Sequence, residues 1–183
     1  MCDQEKDRKI AHLEKVREDI RDEIKKRIEQ RDKYSIQLTI ALSAIIALAF
    51  SKPDYSGVLI VAPLVSIYFT ILIMYSYKIH RAAARYLREK IEPELAFLCG
   101  TEVSMEWETY YKKNNVPGIR HWFFLLMMIV ITAISLTYLW SVGKLDCSIL
   151  IVATVVYVIF MIWIFIWRII EYFREKKFEN ERK

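Results

Sequence analysis

Four stretches of this chain contain no charged side chain: Ile36–Phe50, Gly57–Tyr77, Trp122–Gly143 and Cys147–Trp167. A helix of about 20 residues, rising about 1.5 Å per residue, matches the roughly 30 Å hydrocarbon core of a bilayer. Lipid offers no partner to a backbone N–H or C=O, so segments of this kind fold as helices that satisfy those groups internally. The expected fold class is all-α: an integral membrane protein with four transmembrane helices arranged as two hairpins. The first tract is the shortest, and Tyr34 and Ser35 extend it, the phenol ring sitting at headgroup level. Overall apolar content is 55% and charged content 27%, averages that conceal how sharply the two classes separate along the chain.

Five segments follow. Residues 1–33 form a charged helix, 34–77 the first transmembrane hairpin, 78–120 a helical connector, 121–170 the second hairpin and 171–183 a tail. Lys and Arg number eleven before Tyr34, eight from Lys78 to Arg120 and six from Arg168 onward, against only Lys52 and Lys144 in the two short turns. The positive-inside rule then puts both termini and the connector in the cytoplasm of a prokaryotic inner membrane. The turns "SKPDYSG" and "SVGKLD" face outward and are too small to hold a sizeable ligand. Tyr55, Tyr138 and Trp140 mark one interface, and Tyr77, Trp122, Trp167 and Tyr172 the other.

The front segment, Asp3–Lys33, has neither Gly nor Pro. Its aliphatic residues Ile10, Leu13, Val16, Ile20, Ile24 and Ile28 recur every three or four positions, a single apolar stripe on a charged helix. Such a stripe must be covered. No other soluble segment looks large enough, so neighbouring copies of the same helix are the expected partners, giving a homo-oligomer assembled through Leu13, Val16, Ile20, Ile24 and Ile28. The alternative is packing on the connector of the same chain. Beside the stripe, Glu14, Glu18 and Asp22 form one row and Arg17, Arg21 and Lys25 another, with pairs such as Glu14–Arg17 and Asp22–Lys26 expected. Brought together by symmetry, Arg17, Arg21 and Lys25 would suit a nucleotide or oligonucleotide signal, or an acidic regulatory protein. The segment's eleven bases are nearly balanced by ten acids.

No ionisable residue interrupts any span, which argues against proton-coupled transport and intramembrane proteolysis. No nucleophile lies beside a base, so no enzyme activity is expected. Three scattered cysteines and three scattered histidines suggest no disulfide, metal site or cofactor. The spans do offer a hydroxyl row, Ser35, Thr39 and Ser43, continued by Ala47. Small residues at this spacing permit close helix approach. Alternatively they line an axial pore, with Leu42 and Ile46 as an apolar gate. Hydroxyls of the third and fourth spans, Tyr157 included, read as packing or as bonds back to their own helix.

In the connector, helix two should run on to Ile91, where Pro93 ends or redirects it. "PELAFLCG" reads as a short helix stopped by Gly100, and Ser104 as the cap of another. Tyr86, Pro93, Trp107 and Tyr110 are the expected packing residues of a coupling collar. Glu89, Glu92 and Glu94 suggest no chemistry.

A charged helical front, a hairpin, the connector "YLREKIEPEL" followed by "WETYY", and a second hairpin resemble small prokaryotic four-span membrane proteins, among them membrane effectors of antiphage defence systems. That resemblance implies an oligomeric channel, or a membrane-disrupting effector, gated by a cytosolic partner or nucleotide. A non-conducting scaffold that docks a cytosolic protein is the alternative.

Overall fold

The computed structural model describes residues 3–107, 109, 120–143 and 145–180, and no strand occurs among them. Helix α1 runs from Asp3 to Ser51, 49 residues without a break, as expected of a segment free of Gly and Pro. Lys52, which precedes Pro53, is extended (φ −145, ψ 144); the proline ring disfavours helical geometry at that position. A tight 3-10 helix, Pro53–Ile60, follows where sequence suggested only a turn. Then come α2 (Val61–Tyr86), a π-helical turn (Leu87–Ile91), α3 (Glu92–Cys99), a short 3-10 turn (Val103–Met105), α4 (Arg120–Val142) and α5 (Cys147–Asn180). Four helical stretches are long and apolar enough to cross a membrane: Gln4–Ser51, Asp54–Cys99, Trp122–Val142 and Cys147–Arg174.

The chain divides into two compact units, Met1–Tyr34 with Leu72–Ile119, and Ser35–Ile71 with Arg120–Lys183. In the first, charged unit, Leu13 of α1 is buried with Leu87, Ile91, Leu95 and Leu98 of the connector, and Ile10, Val16, Ile20 and Ile24 pack against them. Those four connector residues are spaced 4, 4 and 3, so they form one helical face despite the change of helix type. Ser76 donates to the Arg27 carbonyl at 2.9 Å and the Arg31 guanidinium lies 4.3 Å over the Tyr77 ring, which fixes α1 against the end of α2.

Pro93 does not end the helix. The preceding residue, Glu92, stays α-helical (φ −61, ψ −43), and its N–H reaches back to Leu87 O across a widened turn. A proline removes one backbone donor and crowds the carbonyl four residues earlier; the π turn lies just where that crowding falls. α3 then ends at Gly100 in the left-handed region (φ 68, ψ 26), where Thr101 N–H donates to Ala96 O at 2.9 Å. This six-to-one bond is the signature of a Schellman stop.

In the apolar unit, α4 and α5 run past each other. The Trp122 and Phe165 rings meet edge-on at 6.4 Å, while Leu139 and Leu150 share a cluster with Ala49 and Leu59. Buried positions of α4 include Leu125, Met128, Thr132, Ser135 and Leu139, in alternate steps of three and four, with Leu136 beside them, and those of α5 include Leu150, Tyr157 and Ile164, seven apart. This is the spacing of a knobs-into-holes seam between helices crossing at a shallow angle. Outside that seam both helices carry exposed Ile, Val, Phe and Trp side chains. Gly143, with φ 62, ends α4 and donates to Leu139 O at 3.2 Å.

Candidate functional site

The hydroxyl row of α1 lies on an open face. Thr39, Ser43 and Ala47 are exposed and Ser35 half-buried, with Leu42 half-buried and Ile46 exposed beside them. Thr39 donates to Ser35 O at 3.0 Å, so its hydrogen is satisfied within the helix while its lone pairs point outward. Only 11% of the first apolar window is buried, against 44% of the second. Within the chain, therefore, α1 uses little of its apolar surface and α2 is the more enclosed helix. The enclosed side of α2 is itself partly polar: Ser66 and Thr70 are each 1% exposed. The sequence reading, which looked for hydroxyl rows on α1, missed this one, although the i,i+4 spacing of Ser66 and Thr70 was available to find it.

In the other helices the hydroxyls behave as expected, with one correction. Thr132 donates to Met128 O at 2.8 Å and Thr154 to Leu150 O at 2.7 Å, each bonding its own helix. Tyr157 does not. Its phenol donates to Ile60 O at the end of the 3-10 helix, because a long ring clears its own helix and meets the frayed carbonyls of a neighbour.

The apolar stripe of the front helix has an occupant inside the chain. Leu13, Val16, Ile20 and Ile24 cover the π turn and α3, while Ile28 is half-buried outside that cluster. The premise that no other soluble segment is large enough does not hold: the connector folds into helices that present Leu87, Ile91, Leu95 and Leu98 as a matching face. Two ion pairs fasten the same contact, Lys9–Glu94 at 2.6 Å and Arg17–Glu106 at 3.5 Å. The first is half-exposed and contributes at most about 1 kcal/mol. Arg17 also reaches Glu14 at 3.8 Å, the expected i,i+3 pair. Arg27 engages Glu23, and the expected pairing of Asp22 with Lys26 does not occur among the described residues. Of the candidate anion-binding row, Arg17 is thus held by carboxylates, and Arg21 and Lys25 are exposed.

Of the collar residues, Pro93 is half-buried at the start of α3. Tyr86 and Trp107 are exposed, and Tyr110 lies outside the described residues, as do Glu108 and "NNVPG". Ser104 is not a helix cap; it sits in a 3-10 turn and donates to Glu102 Oε2 at 3.0 Å. The residue that sequence passed over is Glu92. It is fully buried, and Thr109 donates to its carboxyl at 3.1 Å, tying α3 to the segment that follows. A buried polar group needs such a partner, and a partner 17 residues away leaves no local spacing signal.

A second unforeseen group lies where α2 leaves its apolar tract. Arg31 stacks on Tyr77, and His80, one turn on, has a buried Nδ1 without a hydrogen-bond partner. Burial lowers the His80 pKa below its ordinary 6.5, and the positive charges of Arg31 and Arg81 lower it further. Among the described residues no group of His, Cys, Asp and Glu is placed to hold a metal ion, and Cys99 and Cys147 are free exposed thiols. The chain matches no protein-family model, and neither a curated protein nor a solved structure is significantly similar to it.

Proposed function

We propose that the chain is a multi-pass membrane protein of the prokaryotic inner membrane, with both termini and the connector cytoplasmic and its apolar helices paired as two hairpins. It assembles with copies of itself into a channel, or a membrane-disrupting effector, governed through the charged unit. The observation that carries this reading is the exposed row Thr39, Ser43 and Ala47, begun by half-buried Ser35, on a helix whose apolar window is 11% buried. Hydroxyls and a small residue in line favour close contact between copies or contact with water, over contact with lipid alone. The front segment and this row are parts of the same helix, α1, which suits control of one by the other.

Oligomerisation through the front stripe loses its rationale, since the stripe already has a cover. Assembly through the exposed face of the first span takes its place. The test is electrical: purified protein in a planar bilayer should give discrete conductance steps, and Thr39→Leu with Ser43→Leu, on the assembling face, should diminish them, the oligomer mass measured alongside telling lost assembly from a changed pore. A silent bilayer at every voltage, with and without nucleotides, would reject the channel. A role in antiphage defence rests on the resemblance of layout and is tested by phage challenge of cells with and without the protein.

A second reading has its own observation. Phe97, 84% exposed, Met105, 77%, and Trp107, 59%, make the charged unit unusually apolar on its surface, which favours a scaffold that docks a cytosolic protein. Co-purification of one stoichiometric partner that Phe97→Asp abolishes, without conductance, would favour this reading.

A further inference from the structure

In the charged unit, the contact between α1 and α2 encloses a nitrogen that has no hydrogen bond. Ser76 donates to Arg27 O at 2.9 Å, and the Arg31 guanidinium lies 4.3 Å from the centroid of the Tyr77 ring, so these four residues hold the two helices together. His80 follows Tyr77 by three residues and Ser76 by four, which puts it on the same face of α2. Its Nδ1 is buried there without a partner.

A neutral ring tolerates that position better than a charged one. Neutral imidazole leaves one nitrogen unused, whereas imidazolium carries an N–H donor at each nitrogen and a full charge besides. Burying a charged donor with nothing to accept it costs more than burying a neutral nitrogen. The surrounding charges widen the difference. On α1 these are Arg27 and Arg31 with the acids Glu23 and Asp32, and on α2 they are Lys78 and Arg81. Glu23 is engaged by Arg27, and Asp32, 68% exposed, lies 3.9 Å from Arg31 Nε. The charges that act on the imidazole are those of Arg31 and Arg81, both positive, so a proton on His80 is repelled by each of them.

We propose that His80 is an acid-sensitive latch. Protonation of its ring parts residues 27–34 of α1 from residues 76–81 of α2, while Leu13 stays seated on Leu87, Ile91, Leu95 and Leu98, an aliphatic contact that takes up no proton. All of these residues belong to the charged unit, so the latch depends neither on conduction nor on how copies assemble. Under the membrane placement proposed above, mild acid thereby frees the part of the front helix nearest the bilayer and leaves its far end docked.

The experiment is hydrogen exchange on the full chain in neutral detergent, read by mass spectrometry at about pH 7.5 and about pH 5.5, with rates normalised to those of unstructured peptides. Uptake of one proton shifts an opening equilibrium by at most about tenfold per pH unit. Here the shift favours the open form as pH falls, because only there can water reach the charged ring. Protection of residues 27–34 and 76–81 should therefore drop several-fold in acid, and these residues should then exchange faster than 87–99. His80→Asn and His80→Gln, both uncharged at either pH, should abolish the drop at wild-type helical content. No drop in the wild type, or the same drop in either variant, would overturn the latch. Exchange of 27–34 and 87–99 at one rate in acid would do so too, since the unit would then open as a whole. The measurement requires neither insertion nor conductance, so failure of the latch and failure of the channel reading are seen separately.

Discussion

At single residues, the charged unit depends on positions whose neighbours leave no slack. Leu87 is fully buried between α1 and α3, and Leu87→Ala should cost about 2–5 kcal/mol through lost burial and the cavity left behind, read as a lower denaturation midpoint in detergent. Gly100 holds a positive φ, so Gly100→Ala should cost about 1–2 kcal/mol, with little effect from the same change at an exposed helical site. His80 gives the unit a pH dependence of definite sign. Its folded pKa is lowered, so the unfolded chain takes up the proton first as pH falls below 6.5. Stability then declines until the lowered value is passed. Melting midpoints should fall between about pH 7.5 and 5.5 by more in the wild type than in His80→Asn; equal slopes would count against the role.

Among elements, the front helix and the connector act as one packed body. Ile20→Asp with Ile24→Asp should loosen α1 from α3, seen as faster hydrogen exchange at Leu87–Cys99, and not necessarily as dissociation of an oligomer. This is also where sequence reading was strongest and weakest. The unbroken α1, the start of α3 at Pro93 and its stop at Gly100 were legible because each depends on local backbone chemistry. The stripe on α1 was legible as a face needing cover, but its partner was not. A 3.6-residue period shows that a side must be buried, and the same Leu and Ile residues serve a neighbouring copy or a connector equally well. Glu92, Arg31 and Tyr157 were invisible for a related reason: each is defined by a contact too far along the chain to leave a local spacing signal, 17 residues for Glu92 and further for the other two. The π turn was missed because Pro93 inside a helical pattern ordinarily reads as an end.

For the whole molecule, the sharpest contrast is between the two units. One is charged, with a small aliphatic core and cross-element ion pairs; the other packs α4 on α5 along a narrow seam and leaves most of its apolar surface uncovered. A soluble monomer rarely presents that much apolar surface, so the chain should partition wholly into the detergent phase on extraction and precipitate when detergent is removed. Its mass in detergent should exceed that of one 21.8 kDa chain by an integral factor, which light scattering would measure. The π turn has a further consequence when helices are treated as clocks. By closing Leu87 O onto the N–H of Glu92, it stores one surplus residue between α2 and α3. Each residue of a regular helix advances the azimuth by roughly 100°. Deleting exposed Lys90 would remove that surplus residue and let the turn close as a regular α-helix, with Leu87, Ile91, Leu95 and Leu98 then spaced 3, 4 and 3 on one face. The grip of the charged front on its unit should therefore survive the deletion, whereas adding a further residue there, beyond what the turn absorbs, should swing Leu95 and Leu98 away from Leu13.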